Sequence, residues 1–482
     1  MKKRISIAVA LVAVMTMGSA QAQYSETNNL FYHTFRTPQS TDLNAAFFPN
    51  KTTFYLRLPG VGLQFGSPVA IEDVVYNQGD SLTVIDVNRM IDALGRDNNI
   101  HFDADINLFG FGFKTGNIYV NFNSRIVANI NANIPGALLD AVRQGNTDAT
   151  GNAISTVNIL NGDIFNTTSY VELALGGAYH IEPINLTVGA RAKYLLGLAN
   201  VQTDNTSAVL TTNSGFNGIR ADIYYEFLSA GVADIDSTGK VNVNANEIFN
   251  GNSGVAFDLG ARYDMGPFSF SFGINDLSAG IHWNKNVKSI HPKDNHIVLN
   301  FNGQDATTLL HGGTLNSDSL NSIYQNLING IRPASSASSD YWYSIPTKIN
   351  LGANYNFLNK FRAGILFHGQ LDRGLLSKKN VREINIAEVS NTFRFNTTLS
   401  FGVNLFNWAE FIVGSSVVYD GNKIDALNPG VGVILTPATV LQIYLMGDYM
   451  SSLYLVKAKD FNVKVGVNLL IGNGGSTRIA QN

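Results

Sequence analysis

The chain contains no cysteine. That excludes disulfides, thiolate metal sites and lipid attachment to a cysteine behind an export signal. Beyond the first 22 residues it also has no apolar run of about 18 residues, so no transmembrane helix is expected. Gly-x-Ser-x-Gly, His-Glu-x-x-His, Walker A and the Rossmann fingerprint are all absent, which removes the usual local signs of catalysis. The chain is therefore read as a non-enzyme, although Ser, His and Asp drawn from separate strands would escape such a search. A strong charge of either sign is missing too. The formal net charge is only −3, and nucleic acid is not an expected partner.

What is present begins with Lys2, Lys3 and Arg4, an apolar run over 5–17, and Gly18-Ser19-Ala20-Gln21-Ala22. This is the pattern of a secretory signal peptide over 1–22, with Ala20 and Ala22 at the −3 and −1 positions of the cut. Cleavage would leave 460 of the 482 residues and a formal charge of −6, because three basic residues depart.

Period-two alternation dominates the remainder. Phe461, Val463, Val465, Val467, Leu469 and Ile471 alternate with Asn462, Lys464, Gly466 and Asn468. Tyr343 to Phe357 behaves alike, as do the runs near 219–227, 255–263 and 361–367. These runs reach about 11 to 15 residues, longer than the 5–6 of soluble sheets and sufficient for a tilted membrane crossing. Tight turns at 114–117, 182–184, 265–267, 357–360, 405–408 and 436–438 exchange with long segments at 132–168, 229–252, 284–341, 374–390, 421–427 and 451–459. Short turns at one end and long loops at the other are the asymmetry of an outer-membrane barrel.

The expected fold is thus an all-β, transmembrane, antiparallel up-and-down barrel of 14–16 strands over 52–472. Sixteen crossings can be counted, of which 52–66 (broken by Pro59-Gly60) and 206–212 are the weakest; without those two the number is 14. Short helices are expected at 85–94, 135–143 and 318–331, in outer loops or folded into the mouth. Residues 23–51 could plug the lumen, and 473–482 form a Gly-rich tail. Trp283, Trp342 and Trp408 fall at strand ends, as interfacial girdles require. Outer-membrane lipid, periplasmic chaperones and the barrel-assembly machinery are the implied partners.

Thr37-Pro38-Gln39-Ser40-Thr41-Asp42-Leu43-Asn44-Ala45-Ala46-Phe47-Phe48-Pro49, followed by Thr53-Phe54-Tyr55-Leu56-Arg57-Leu58-Pro59-Gly60, resembles the opening of an uncharacterised family of Bacteroidetes outer-membrane barrels. Ala45 stands where that family usually has proline. More distantly the layout resembles the fatty-acid-transporter type of barrel, which implies 14 strands and an N-terminal plug.

With the apolar face turned to lipid, Glu172, Arg191, Lys193, Arg220, Asp222, Glu226, Asp258, Arg262, Asp264, Lys348, Arg362, Asp372 and Arg394 should line the lumen. Six are acidic and seven basic, so they could brace the wall as pairs or set the field of a constriction. Asp234, Asp236 and Thr238, with Gly239 and Asn242, copy the first half of an EF-hand calcium loop. Position 12 is Ala245, so an Asp/Gly-rich surface turn is the competing reading. His291, Asp294 and His296 are close enough in sequence to share a metal but match no standard spacing. The function expected is a channel or transporter for small or lipophilic compounds; the alternative is an envelope scaffold, secretion accessory or surface receptor, and behind it a barrel hydrolase.

Overall fold

The computed structural model describes residues 29–34, 36–49, 52–78, 82–85, 89, 94, 97–139, 156–161, 164–212, 218–235, 241–243, 251–293, 296–302, 333–358, 360–371, 393–406, 408–420, 423–437, 440–448 and 457–472. The expected signal peptide, the 318–331 helix and the C-terminal tail lie outside the described residues.

Fourteen strands follow one another around a closed ring: β1 (Phe54–Gly66), β2 (Asp97–Thr115), β3 (Ile118–Pro135), β4 (Phe165–Ile181), β5 (Leu186–Thr212), β6 (Ser253–Met265) and β7 (Phe268–Trp283), then β8 (Thr347–Phe357), β9 (Phe361–Leu371), β10 (Phe393–Phe406), β11 (Ala409–Asp420), β12 (Lys423–Leu435), β13 (Leu441–Asp448) and β14 (Asp460–Ile471). Every neighbouring pair is antiparallel, and β1 closes the ring by pairing with β14 on one side and β2 on the other. Leu63 of β1 lies opposite Val463 and Ala104. Closure leaves no strand edge, which is the condition for a sheet to live in lipid.

Ring order equals chain order, so hairpin turns set the register. Gly116 and Gly266 each hold φ +56° at the first position of a two-residue turn, where a type II′ hairpin needs glycine. Pro59 has no N–H to give, and β1 shifts register between Arg57 and Gly60 rather than ending there. The inside-outside alternation is plain on β7. Phe268, Phe270 and Phe272 are about 40% exposed on the outer face, whereas Ser269 and Ser271 are buried inside.

The count of 14 arises differently from the sequence expectation. The doubtful 52–66 is a ring strand. Residues 206–212 are the far end of β5, which runs for 27 residues and projects past its ring neighbour β6. The strand Gly218–Gly231 pairs with that projecting end, and on its other side with Ile297–Asn302 and Lys288–Pro292. It forms a sheet beyond the ring rather than a crossing. Alternation could not reveal this, since a projecting sheet with one covered face carries the same period.

Two other expectations change. Residues 136–139 are helical and so is Arg89 inside the expected 85–94 helix, but the first residue of that span, Ile85, ends a strand, Leu82–Ile85, paired with Val75–Gln78, and 86–88 and 90–93 lie outside the described residues. Trp283 is no girdle residue: it is fully buried in a cluster with Leu195, Ile281 and Tyr341. Trp408, exposed and stacked on Phe406 at 5.4 Å, keeps the girdle position.

Candidate functional site

Residues 29–49 run through the inside of the ring, and nearly all of those described are buried. The segment is built from small polar turns. A helical turn, Asn29–Tyr32, leads to a 3-10 turn, Pro38–Asp42, entered with proline at its first position, where a missing N–H costs nothing. Ser40 Oγ and Thr41 Oγ1 donate back to the carbonyls of Thr37 and Pro38, both at 2.8 Å, so the turn satisfies itself where water is scarce.

Its contacts with the wall are mostly polar and come from all sides. Asn29 Nδ2 donates to Asn396 Oδ1 and Thr398 Oγ1 of β10 at 2.9 and 2.8 Å, and the Leu30 amide to Asp448 of β13 at 3.3 Å. His33 Nδ1 meets Asn354 Oδ1 of β8 at 2.7 Å, while Arg362 of β9 donates to the His33 carbonyl. Gln39 and Asn468 of β14 exchange amide hydrogen bonds at 3.0 Å. Asn275 and Asn350 donate to the carbonyls of Asp42 and Leu43, both at 3.1 Å. Apolar contact is made by Leu30 and Phe31 against Ile412, Ile434, Tyr444 and Met446, by Tyr32 and Phe47 against Leu366, and by Phe48, whose ring stacks on Tyr119 of β3 at 4.8 Å and leans on Tyr55 of β1 at 5.5 Å. Two glycines clear the floor beneath: a Cβ on Gly189 or Gly260 would collide with the Asn44 to Ala46 stretch.

Charge concentrates at Asp42. Arg57 Nη1 and Nη2 donate to its two oxygens at 2.9 and 2.7 Å, Asn123 Nδ2 donates at 3.1 Å, and Arg191 Nη1 stands 3.5 Å away. Burial works to raise the Asp42 pKa; the Arg57 charge and hydrogen bonds, with Arg191, overcome it and hold the carboxyl well below the usual range. One inward position further from the short turns lies a belt of ion pairs. Arg125 bonds Glu172 and Asp105 at 2.9 and 3.2 Å, and Lys464 reaches Asp105 at 2.7 Å. Lys193 bonds Asp276 and Asp258 at 2.7 and 2.9 Å, Arg191 stands 3.6 Å from Asp258, and Lys348 is 3.8 Å from Asp276. A small cavity lies between the segment and this belt, with Phe31, Asp42 and Leu43 on one side and Arg125, Lys193 and Lys464 on the other.

Of the residues singled out in the sequence, Glu172, Arg191, Lys193, Asp258 and Lys348 meet in this cluster. Arg362 sits apart, 3.2 Å from Glu410, which also faces Arg36 of the inner segment at 3.6 Å. Arg262 pairs with Asp264 at 3.0 Å near the short turns. Arg220, Asp222 and Glu226 do not line the lumen, because Gly218–Gly231 lies outside the ring; Arg220 pairs with Asp222, and Glu226 accepts from Ser289 at 2.5 Å. Asp372 and the side chain of Arg394 lie outside the described residues, as do Asp236, Thr238, Asp294 and the side chain of Asp234. Residues 233–235 pair with 241–243, so the calcium-like stretch spans a hairpin. His296 meets Asp222 at 2.7 Å, and among the described residues no cluster of three or more His, Asp and Glu could hold a metal ion.

Sequence reading missed Asp42, Arg57, Asp105, Arg125, Asp276, Glu410 and Lys464. Parity could have supplied several, since Asp103, Asp105 and Asn107, and Asn121, Asn123 and Arg125, occupy alternate positions on β2 and β3. Asp276 could not be reached that way. A bulge shifts β7 against β6, Asp276 takes φ +59°, and it turns inward beside Asn275 against the alternation.

Known structures similar to this chain include the toluene transporter TbuX of Ralstonia pickettii (TM-score 0.44, 8% identity, covering 95% of this chain and 98% of that one). A FadL homologue of Pseudomonas aeruginosa gives 0.45 and 8%, with the same coverage. The toluene transporter TodX of Pseudomonas putida gives 0.39 and 10%, covering 95% and 97%. No curated protein sequence matches. The sequence profile of one family does match, over residues 46–448, and the chain belongs to it: the family of unknown function DUF5723.

Proposed function

We propose that the protein is an outer-membrane channel or transporter for small compounds, closed at rest by residues 29–49 acting as a plug. A closed ring with an apolar exterior and a polar interior is inverted relative to a soluble barrel, and lipid is the solvent that suits it. Fourteen strands enclose more space than wall side chains fill, since eight already suffice for a packed interior.

The observation that carries the proposal is the character of the plug's bonds. A permanent filler would bury a continuous apolar face. Beside the packing of Leu30, Phe31, Phe47 and Phe48, this segment is held on all sides by amides, carbonyls and ion pairs that water can replace, and its withdrawal would leave a lumen lined by those polar partners.

The test uses the absence of cysteine. Cysteines placed at Gln39 and Asn468, whose amides now touch, give one reactive pair in the whole chain. A short bis-methanethiosulfonate bridging them should silence solute flux in liposomes, and reduction should restore it. Deleting residues 29–49 should give a steady open conductance in planar bilayers. A chain that stays silent after both reduction and deletion is a scaffold, and the transport reading fails.

A further inference from the structure

Asp42 is the only carboxylate in residues 29–49, and the wall is shaped around it. The Arg57 fork takes both its oxygens, Asn123 adds a third donor, and Arg191 adds a second positive charge. Both arginines are almost completely buried. Among the described residues Asp42 is the only acid within ion-pair distance of Arg57. Asn107, which accepts from Arg57 through its oxygen, leaves its amide nitrogen buried without a partner. Donors therefore exceed what one aspartate accepts. The recess has the form of a carboxylate-binding site filled from within the same chain.

This has a consequence for opening. If the plug leaves, Asp42 leaves with it, and the Arg57 guanidinium loses the carboxylate that takes both its donors. A ligand shifts an equilibrium only by binding one state better than the other. A free carboxylate meets that condition completely, because the docked plug occupies its site. The cavity beside Asp42 brings Arg125, Lys193, Lys348 and Lys464 toward the recess, with only Phe31 and Leu43 as large apolar groups in its lining. Phe31, Gln39, Asp42 and Leu43 of the plug form one side of this small cavity, so departure of the plug would widen it on the side that faces these cations.

We infer that the recess formed by Arg57, Arg191 and Asn123 binds the carboxylate of a small polar carboxylic acid, which displaces Asp42, releases the plug and is the class of solute carried. This rests on the transport reading above and specifies its cargo.

Titration calorimetry on the full chain in detergent, at constant ionic strength with sodium succinate as probe, tests it. Asp42→Asn should bind one succinate per chain at least tenfold more tightly than the unsubstituted protein. Asp42→Asn with Arg57→Gln should bind none, and uncharged succinamide should bind neither. Absence of succinate binding by folded Asp42→Asn, or binding that survives Arg57→Gln, overturns the inference. If Asp42→Asn does not fold, Gln39→Cys in the otherwise unaltered chain gives the answer. Its labelling by a charged maleimide should quicken at least threefold in succinate but not in succinamide or sodium chloride, and an unchanged rate overturns the inference. Neither readout needs conduction. Succinate binding by a barrel silent in bilayers would sink the transport reading alone, whereas plug-gated flux indifferent to succinate would sink this inference alone.

Discussion

His33 carries a proton balance that couples the plug to pH. Burial, the largest cause, lowers its pKa to about 4, and the nearby Arg362 charge pushes the same way against the Asn354 hydrogen bond. Arg362 in turn faces Glu410, and the Tyr32 ring lies edge-on to the imidazole at 5.9 Å. A released segment would regain the ordinary value near 6.5. Between 6.5 and about 4 the released state binds a proton that the docked state does not. The His33 contribution to docking is therefore greatest above pH 6.5 and falls by about 1.4 kcal/mol for each unit between 6.5 and about 4. Maleimide labelling of Gln39→Cys should accelerate steadily as pH falls from 7 to 5, after correction for thiolate fraction with a free thiol. In His33→Gln that acceleration should be lost, and its persistence would place the sensitivity elsewhere.

At the scale of elements, the meeting of plug and strands depends on what the strands omit. The Cβ of a valine at Gly189 would strike the backbone of Ala45, which cannot rotate away as a side chain does. Gly189→Val should weaken docking by about 1–3 kcal/mol, the usual penalty of overpacking, while leaving the ring intact. Faster labelling of Gln39→Cys with unchanged gel mobility of the unheated barrel is the expected result; loss of the folded band would instead make Gly189 a requirement of the wall. Inward glycines were visible in the sequence as Gly at polar-parity positions, but nothing there said what fills the space. That limit is general in this chain. Alternation of Phe461 to Ile471 or Phe268 to Phe272 reports a two-faced strand directly, because one face meets an apolar medium. It does not report the neighbour, so Gly218–Gly231 reads as well as any ring strand although it pairs only with the projecting end of β5 and the strands beyond. Residues 29–49 have no period at all. Their structure is set by contacts with strands hundreds of positions away, such as Asn29 with Asn396, and only the folded ring brings these together.

For the molecule as a whole, the inverted ring makes a demand that a soluble barrel would not share. Leu399 on β10 is 60% exposed on the outer face, about as many residues from its short turn as Arg125 and Lys193 are from theirs, so it lies near mid-height. Its sequence neighbours Thr398 and Ser400 are buried inside, and Thr398 holds the Asn29 amide. Arginine at 399 would have to place a guanidinium in hydrocarbon or bend the bilayer to reach water. The cost at a bilayer midplane is about 2–4 kcal/mol for a lipid-facing arginine on a barrel. Leu399→Arg and Leu399→Ala should therefore differ by that amount in folding free energy when the barrel inserts into phosphatidylcholine vesicles. The difference should shrink as the same pair is moved toward either end of the strand. A soluble barrel would tolerate arginine at an exposed position within about 0.5 kcal/mol. Equal stabilities of the two variants would show that this face meets water, and the closed, polar lumen would then need an explanation other than a membrane.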